Sequence, residues 1–290
     1  MPTVREHHSK HVFKCMMMGD PGSGKTGSLP SLINHMDELG LKQVAILDFD
    51  DGLDILLPLI EDKYLDRVFY ETLVDDLKTT QDDEGIKVRE AKAFPRACAL
   101  LNNWVSGSVN LGPAREWGKD TVFVIDSITG VGDACMWFAL DKLKSGTDWE
   151  ATGAAMRRQE KLIDLARGLS CHLIVMSHVR FMGGGGTRAS VDKKSGKLVY
   201  QEVDSREFGD AYPSVLGKKL PPTVGRFFNT ILEIKLVGKN RYIRTVPDER
   251  MNLKLPLFTL PEELDQKDGL YRIFKEFLAR GGESDKTQTQ

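Results

Sequence analysis

The chain has 290 residues, 41% hydrophobic and 28% charged, and carries a net charge of −2. That is ordinary globular composition, long enough for one large α/β domain or two small ones, and it excludes any argument for nucleic-acid binding from overall basicity. No apolar run reaches the roughly 18–20 residues that a bilayer crossing needs, and the opening MPTVREHHSKH lacks the apolar stretch of a signal peptide, so a cytoplasmic location is expected.

The polar residues 1–11 read as a flexible arm, and HVFKCMMMG (11–19) is the first predicted strand. A glycine-rich GDPGSGKT follows, then a predicted helix over 28–39 and a strand QVAILDFD (43–50). A helix is predicted over 86–106, a strand at DTVFVIDS (120–127), and helices over 131–145 and 148–169. Thr147 and Glu150 have capping-box spacing at the start of the last of these. The strand CHLIVMSH (171–178) comes next. Such nearly continuous apolar strands suit a parallel sheet buried on both faces, and their alternation with helices predicts an α/β fold, a three-layer, doubly wound, mostly parallel sandwich. Cys15, Cys98, Cys135 and Cys171 lie far apart with no CxxC spacing, which predicts reduced thiols, not metal ligands or disulfides.

After His178 the texture changes. Four consecutive glycines, a KKSGK turn and a double proline predict mobile basic loops at about 181–222, around a possible hairpin. From Arg180 to Lys254 there are 15 Lys/Arg against 8 Asp/Glu, so the rest of the chain is acidic. TILEIKLVGKNRYIRTV (230–246) reads as two strands around a GKN turn. A C-terminal helix is predicted within 263–282 and a disordered polar tail over 283–290, leaving 12–262 as one core without internal repeats.

GDPGSGKT fits GxxxxGK[ST] and sits where that motif must, after a strand and before a helix. Gly19, Asp20, Pro21, Gly22, Ser23, Gly24, Lys25, Thr26 and Gly27 form the predicted nucleotide cradle, because glycines let the backbone curl so that several N–H groups point at phosphate oxygens. Lys25 reaches the β- and γ-phosphates of ATP, and the Thr26 hydroxyl ligates Mg²⁺. Asp126, ending an apolar strand, supplies the carboxylate on the Mg²⁺ side. Many P-loop motors place a glutamate base directly after that aspartate, but here it is Ser127, so a base must come from elsewhere or be absent. Asp48, Asp50, Asp51 and Asp54 crowd the end of the second strand; they either polarise the attacking water or cap the next helix.

GDPGSGKT, AILDFDDGLD, VFVIDSIT and LIVMSHVR, in that order, resemble the RecA/RadA recombinase core over about residues 11–262. The overall size and the C-terminal PDERMNLKLPLFTLPEEL are most similar to the short phage-encoded RecA-like ATPases of single-strand annealing and recombination. The resemblance implies a RecA-like P-loop NTPase core, with Asp50 at the position of the family's catalytic glutamate and His178 at that of a glutamine sensing the γ-phosphate. It implies that Arg180, Arg188, Lys193, Lys194 and Lys197 meet DNA phosphates, with Phe181 or Tyr200 available to stack on bases. It also implies a basic residue acting on a neighbouring subunit's ATP, with Arg226 the candidate and Lys218 and Lys219 the alternatives. Three departures stand out: Asp50 is one methylene short, His178 replaces an amide, and only about ten polar residues precede Val12 in place of a polymerisation strand.

The function so implied is a Mg²⁺-dependent ATPase that binds single-stranded DNA as a homo-oligomer, ring or filament, and promotes annealing or strand pairing. A single-strand binding or replication protein is a further candidate partner, and the host cytoplasm is the implied location if the chain is phage-encoded. The alternative is an ATP-binding assembly or loader module that acts on a replication protein with little hydrolysis.

Overall fold

The computed structural model describes residues 12–79, 86–143, 147–183, 186–191, 198–203, 209–256 and 259–286. Strands β1 (Lys14–Met18), β2 (Gln43–Asp48) and β3 (Val68–Thr72), with the short helices α1 (Leu29–Ile33) and α2 (Asp62–Leu65) between them, precede two short hairpins, β4 (Asp76–Thr79) with β5 (Ile86–Glu90) and β6 (Trp104–Ser106) with β7 (Val109–Gly112). Then come β8 (Thr121–Asp126), β9 (His172–Ser177), β10 (Val179–Met182), β11 (Gly186–Val191), β12 (Leu198–Val203) and β13 (Asp210–Pro213). β14 (Thr230–Val237), β15 (Asn240–Arg244) and β16 (Glu263–Asp265) complete the set.

Eight of these strands form the central sheet, in the order β16-β15-β14-β1-β9-β8-β2-β3. The six from β14 to β3 run parallel, and β15 and β16 extend the sheet antiparallel. Every residue of β1, β8 and β9 is buried. Alternation along each strand divides them between two cores. Met16, Met18, Ala45, Leu47, Phe123 and Ile125 face one, with side chains of α3 (Ala93–Asn102), α4 (Ile128–Lys142) and α5 (Asp148–Gly168). Cys15, Met17, Val44, Ile46, Val122 and Val124 face the other, with the short helix Leu29–Ile33 and the C-terminal helix Gln266–Lys286. Among the described residues no helix is long and apolar enough to cross a membrane.

Several local expectations are revised. The helix predicted over 28–39 is a 3-10 turn, Thr26–Ser28, followed by the five-residue helix Leu29–Ile33. The side chain of Asn34 then holds a neighbouring segment, donating to Leu59 O and accepting from Glu61 N. Residues 86–106 are not one helix but β5, α3 and β6. Pro95 explains this: proline is tolerated only in a first turn, so the helix starts just before it, where Asp75 accepts from Ala93 N at 2.8 Å. α4 starts three residues earlier than predicted, because Ser127 caps it by accepting from Gly130 N. α5 keeps its capping box, with Thr147 and Glu150 bonded reciprocally. Within 181–222 the described residues include the expected hairpin, β11 with β12, and beyond it β10 pairs with β13 and a short helix, Pro221–Val224, follows, so the rest is more regular than loops. Residues 263–265 are strand, and the C-terminal helix runs on to Lys286. The arm at 1–11 and residues 287–290 of the tail lie outside the described residues.

Candidate functional site

Parallel pairing brings the carboxyl ends of β1, β9, β8 and β2 to one edge, with Met18 opposite Ser177 and Asp48 opposite Asp126. The segments leaving those ends are Gly19–Thr26, His178, Ser127 and Asp50–Gly52. The edge where strands of an open α/β sheet end is the usual place for a ligand crevice. A cavity of about 650 Å³ opens there, lined by Pro21, Gly22, Gly24, Lys25, Thr26, Gly27, Asp50, Ile55, Leu59, Asp126, His178, Arg241 and Gln266. β9 lies between β1 and β8, so Asp126 reaches the glycine loop across an intervening strand.

Gly22 and Gly24 take φ of +76° and +100°, the left-handed region where other residues are strained. This turns the loop back so that Lys25, only 6% exposed, folds under it. Lys25 Nζ donates to Gly19 O at 3.0 Å and Asp20 O at 3.1 Å, and lies 3.2 Å from His178 Nδ1. Burial lowers its pKa, while Asp126, Asp50 and Asp20 pull it back up. Inside the loop, Ser23 Oγ is buried and has no partner among the described residues, a polar atom facing an incomplete set of hydrogen bonds.

Thr26 Oγ1 donates to Asp126 Oδ2 at 2.6 Å. Asp126 is 3% exposed, and burial pushes its pKa up to about 6 although the Thr26 hydrogen bond works against that rise. A hydroxyl and a carboxylate oxygen this close are the donor types that Mg²⁺ takes beside several waters. Among the described residues no group of three or more His, Cys, Asp or Glu is gathered for a metal, a count that a Mg²⁺ ion held mainly by phosphate and water does not require.

The four aspartates at and beyond the end of β2 separate by role. Asp48 is buried and accepts from Asp50 N at 3.2 Å, Gly52 N at 3.4 Å and Thr72 Oγ1 at 3.4 Å, so it shapes the turn. Asp51 takes a φ of +52°, and Asp54 sits in the 3-10 turn Leu53–Ile55; neither lines the cavity. Asp50 does. Ser127 Oγ donates to its Oδ1 at 2.9 Å, and His178 Nε2 lies 3.5 Å from its Oδ2. Burial alone would raise the Asp50 pKa, but these hydrogen bonds from His178 and Ser127 hold it below the usual carboxylate range. An ammonium facing Nδ1 requires that nitrogen to accept, which puts the His178 proton on Nε2, toward Asp50. The His178 backbone is fixed as well: its N–H donates to Thr129 Oγ1 at 3.2 Å and its carbonyl accepts from Ser214 N at 2.8 Å.

Lys25, Thr26, Asp50, Asp126 and His178 therefore meet around one cavity. Arg226 does not join them. It lies in the 3-10 turn before β14, at the opposite end of the parallel strands, 3.6 Å from Glu160 and with its guanidinium 4.8 Å from the Phe227 ring centroid. Lys218 and Lys219 are also absent from the cavity lining. Arg180 is exposed on β10 and donates to Gly217 O at 3.3 Å, while the Phe181 ring is covered by Arg250 at 5.2 Å. Arg188 and Tyr200 are placed on β11 and β12 by their backbone, and Lys193, Lys194 and Lys197 lie outside the described residues. Four lining residues escaped the sequence reading: Ile55, Leu59, Arg241 on β15 and Gln266 at the start of the C-terminal helix. Gln266 Nε2 donates to Gly24 O at 2.5 Å, and Arg241 Nη2 reaches Gly22 O at 3.5 Å. The nearest sequence signal was the GKN turn, which sets Arg241 just beyond a hairpin tip. No protein-family model matches the chain, and a search of curated proteins finds no significant match.

Proposed function

We propose that this chain is a Mg²⁺-dependent ATPase with a doubly wound, RecA-like core, which binds single-stranded DNA as an oligomer and promotes annealing or strand pairing in the cytoplasm. The observation that carries the reading is the convergence of Lys25, Thr26, Asp50, Asp126 and His178 on a cavity floored by a left-handed glycine loop. Residues spread over more than 150 positions meet there in complementary chemical types: a cation and N–H groups for phosphate, hard oxygen donors for Mg²⁺, and a carboxylate for water.

In this reading the N–H groups of the loop and Lys25 bind the triphosphate, with Lys25 exchanging its contacts to Gly19 O, Asp20 O and His178 for phosphate oxygens. Thr26 and Asp126 would hold Mg²⁺, whose charge would offset that developing on the phosphates. Asp50 orients the attacking water and accepts its proton. His178, released by Lys25, is free to bond the γ-phosphate, and its backbone bonds to Thr129 and Ser214 connect that change to the basic segment beyond β10. The low pKa of Asp50 favours a second reading, a nucleotide-dependent assembly module with little hydrolysis, because a weaker base drives water attack less well.

ATP hydrolysis measured with and without single-stranded DNA at two salt concentrations, with Lys25→Ala as control, tests the proposal. DNA-stimulated turnover lost in the variant is expected. Turnover indifferent to DNA, with no DNA binding at ~0.1 M salt, would refute the DNA part. Full activity in Lys25→Ala would refute the site.

A further inference from the structure

We infer that Arg241 is a second phosphate-binding cation of the site, acting on the nucleotide held by its own chain. The inference rests on the nucleotide reading above and extends it to a residue placed by the sheet's antiparallel end. β14 pairs parallel with β1, and Arg241 opposes Leu236 across the β14–β15 hairpin. The hairpin tip, with Gly238 at φ +63°, therefore stands at the same edge as the glycine loop. Arg241 is carried there by two ladders of hydrogen bonds, not by a free loop.

Its side chain lies directly on the loop backbone. A Cβ on Gly24 would run into Arg241 Cδ and would stand 2.7 Å from Gln266 Nε2, so the glycine leaves room for both side chains. Arg241 is exposed, its hydrogen bond to Gly22 O is at the long limit of 3.5 Å, and no carboxylate forms an ion pair with it among the described residues. A guanidinium has five N–H donors in a planar fork suited to phosphate oxygens. Most of these donors are uncommitted beside a cavity that a polyanion must enter.

The charges lining that cavity make the need explicit. Asp50 and Asp126 supply carboxylates, whereas Lys25 and Arg241 are the lysine and arginine in the lining. Lys25 begins with its donors committed to Gly19 O, Asp20 O and His178, so it must break contacts as it engages phosphate. Arg241 gives up little. Its place over Gly22 and Gly24, beside the N–H groups that cradle phosphate, aims it at the phosphate chain. Ile55 and Leu59 supply the apolar part of the lining.

The test is titration of the full-length chain with fluorescent Mg–ATP and Mg–ADP analogues, comparing wild type, Lys25→Ala, Arg241→Ala and Arg241→Lys, with thermal midpoints recorded for each. Loss of one charge-assisted phosphate contact predicts affinity weakened by about tenfold or more in Arg241→Ala at an unchanged midpoint, with Arg241→Lys between that variant and wild type. Wild-type affinity in Arg241→Ala, with binding lost in Lys25→Ala, would overturn the inference and leave the nucleotide reading standing. Absence of binding in wild type would overturn both. Mixing Lys25→Ala with Arg241→Ala separates the own-chain assignment from action on a neighbour. Turnover in the mixture no greater than the two variants give alone is expected, and recovery would show that Arg241 serves another copy's nucleotide, overturning the assignment.

Discussion

Adding one methyl group at Gly130 tests whether Asp50 stands at the reacting centre. Gly130 lies in the first turn of α4 with an ordinary helical backbone, so alanine there removes no special conformation and by propensity alone would stabilise the helix by about 0.8–1 kcal/mol. The new Cβ would stand 2.7 Å from Asp50 Oδ1, 2.8 Å from Phe49 Cβ and 3.0 Å from Phe49 O. Restoring contacts of ~3.5 Å requires the Phe49–Asp50 backbone to retreat by about 0.7 Å, and overpacking of this kind costs roughly 1–3 kcal/mol. The propensity gain offsets part of that, leaving a net loss of about 0–2 kcal/mol. In the proposed reaction the same retreat moves the carboxylate away from the attacking water. Displacements near 1 Å are able to cost about a hundredfold in rate, so kcat is expected to fall about 10- to 100-fold. The glycine loop is untouched, so affinity for a fluorescent ATP analogue should stay within about twofold. Steady-state hydrolysis, nucleotide titration and urea unfolding on the same preparation give all three quantities. A variant stabilised by about 1 kcal/mol with unchanged kcat would refute both the contact and the role given to Asp50.

Gln159 is fully buried, donating to Ile128 O at 2.7 Å and accepting from Leu216 N at 2.8 Å. Gln159→Leu strands the Leu216 N–H, and a loss of about 2–3 kcal/mol is expected in urea titration, with a loss below about 0.5 kcal/mol counting against the bridge. Asp126 has a raised folded pKa of about 6, so the fold disfavours its charged form, and stability should increase as pH falls from about 7 toward the unfolded carboxylate range near 4. In chelator the urea midpoint should therefore be higher at pH 5.5 than at pH 7.5, Mg²⁺ should raise the pH 7.5 value selectively, and Asp126→Asn should flatten the profile. Burial pushes the Cys135 thiol up to about 12 and Cys171 to about 11, and raises Cys15 and Cys98 as well. Iodoacetamide at pH 8 should leave all four unmodified in the native protein and alkylate them in urea, as read by mass spectrometry.

Signals confined to a few neighbouring residues were legible in the sequence. The apolar runs marked β1, β2, β8 and β9 because strands buried on both faces need such runs, and Thr147 with Glu150 marked the start of α5 through a local capping exchange. The glycine loop was legible for the same reason, since its conformational demand is written in the residue types. The helix over 86–106 failed where Pro95 should have been weighed against apolar periodicity. Pairing order was not legible at all: nothing near Asp126 states that β9 will stand between it and β1. Arg241 and Gln266 were missed for that reason, because more than 200 residues separate them from the loop they touch. The resemblance singled out Asp50, but residue types and spacing alone did not rank it against Asp48, Asp51 and Asp54. Their roles depend on which one accepts the turn's N–H groups and which one faces Ser127 and His178.

The position of β1 sets an order on the birth of the protein. The strand that carries the glycine loop is the earliest of the sheet to leave the ribosome, yet its two hydrogen-bonding neighbours are β9 and β14, which end at Ser177 and Val237. At typical synthesis rates of about 5–20 residues per second, the first strand waits on the order of 10–40 seconds for both sides of its ladder. During that interval the apolar run at 15–18 has no completed sheet to enter, which makes it a natural client for a chaperone. The full ladder around the strand that carries the glycine loop therefore forms only once the chain has been made through Val237.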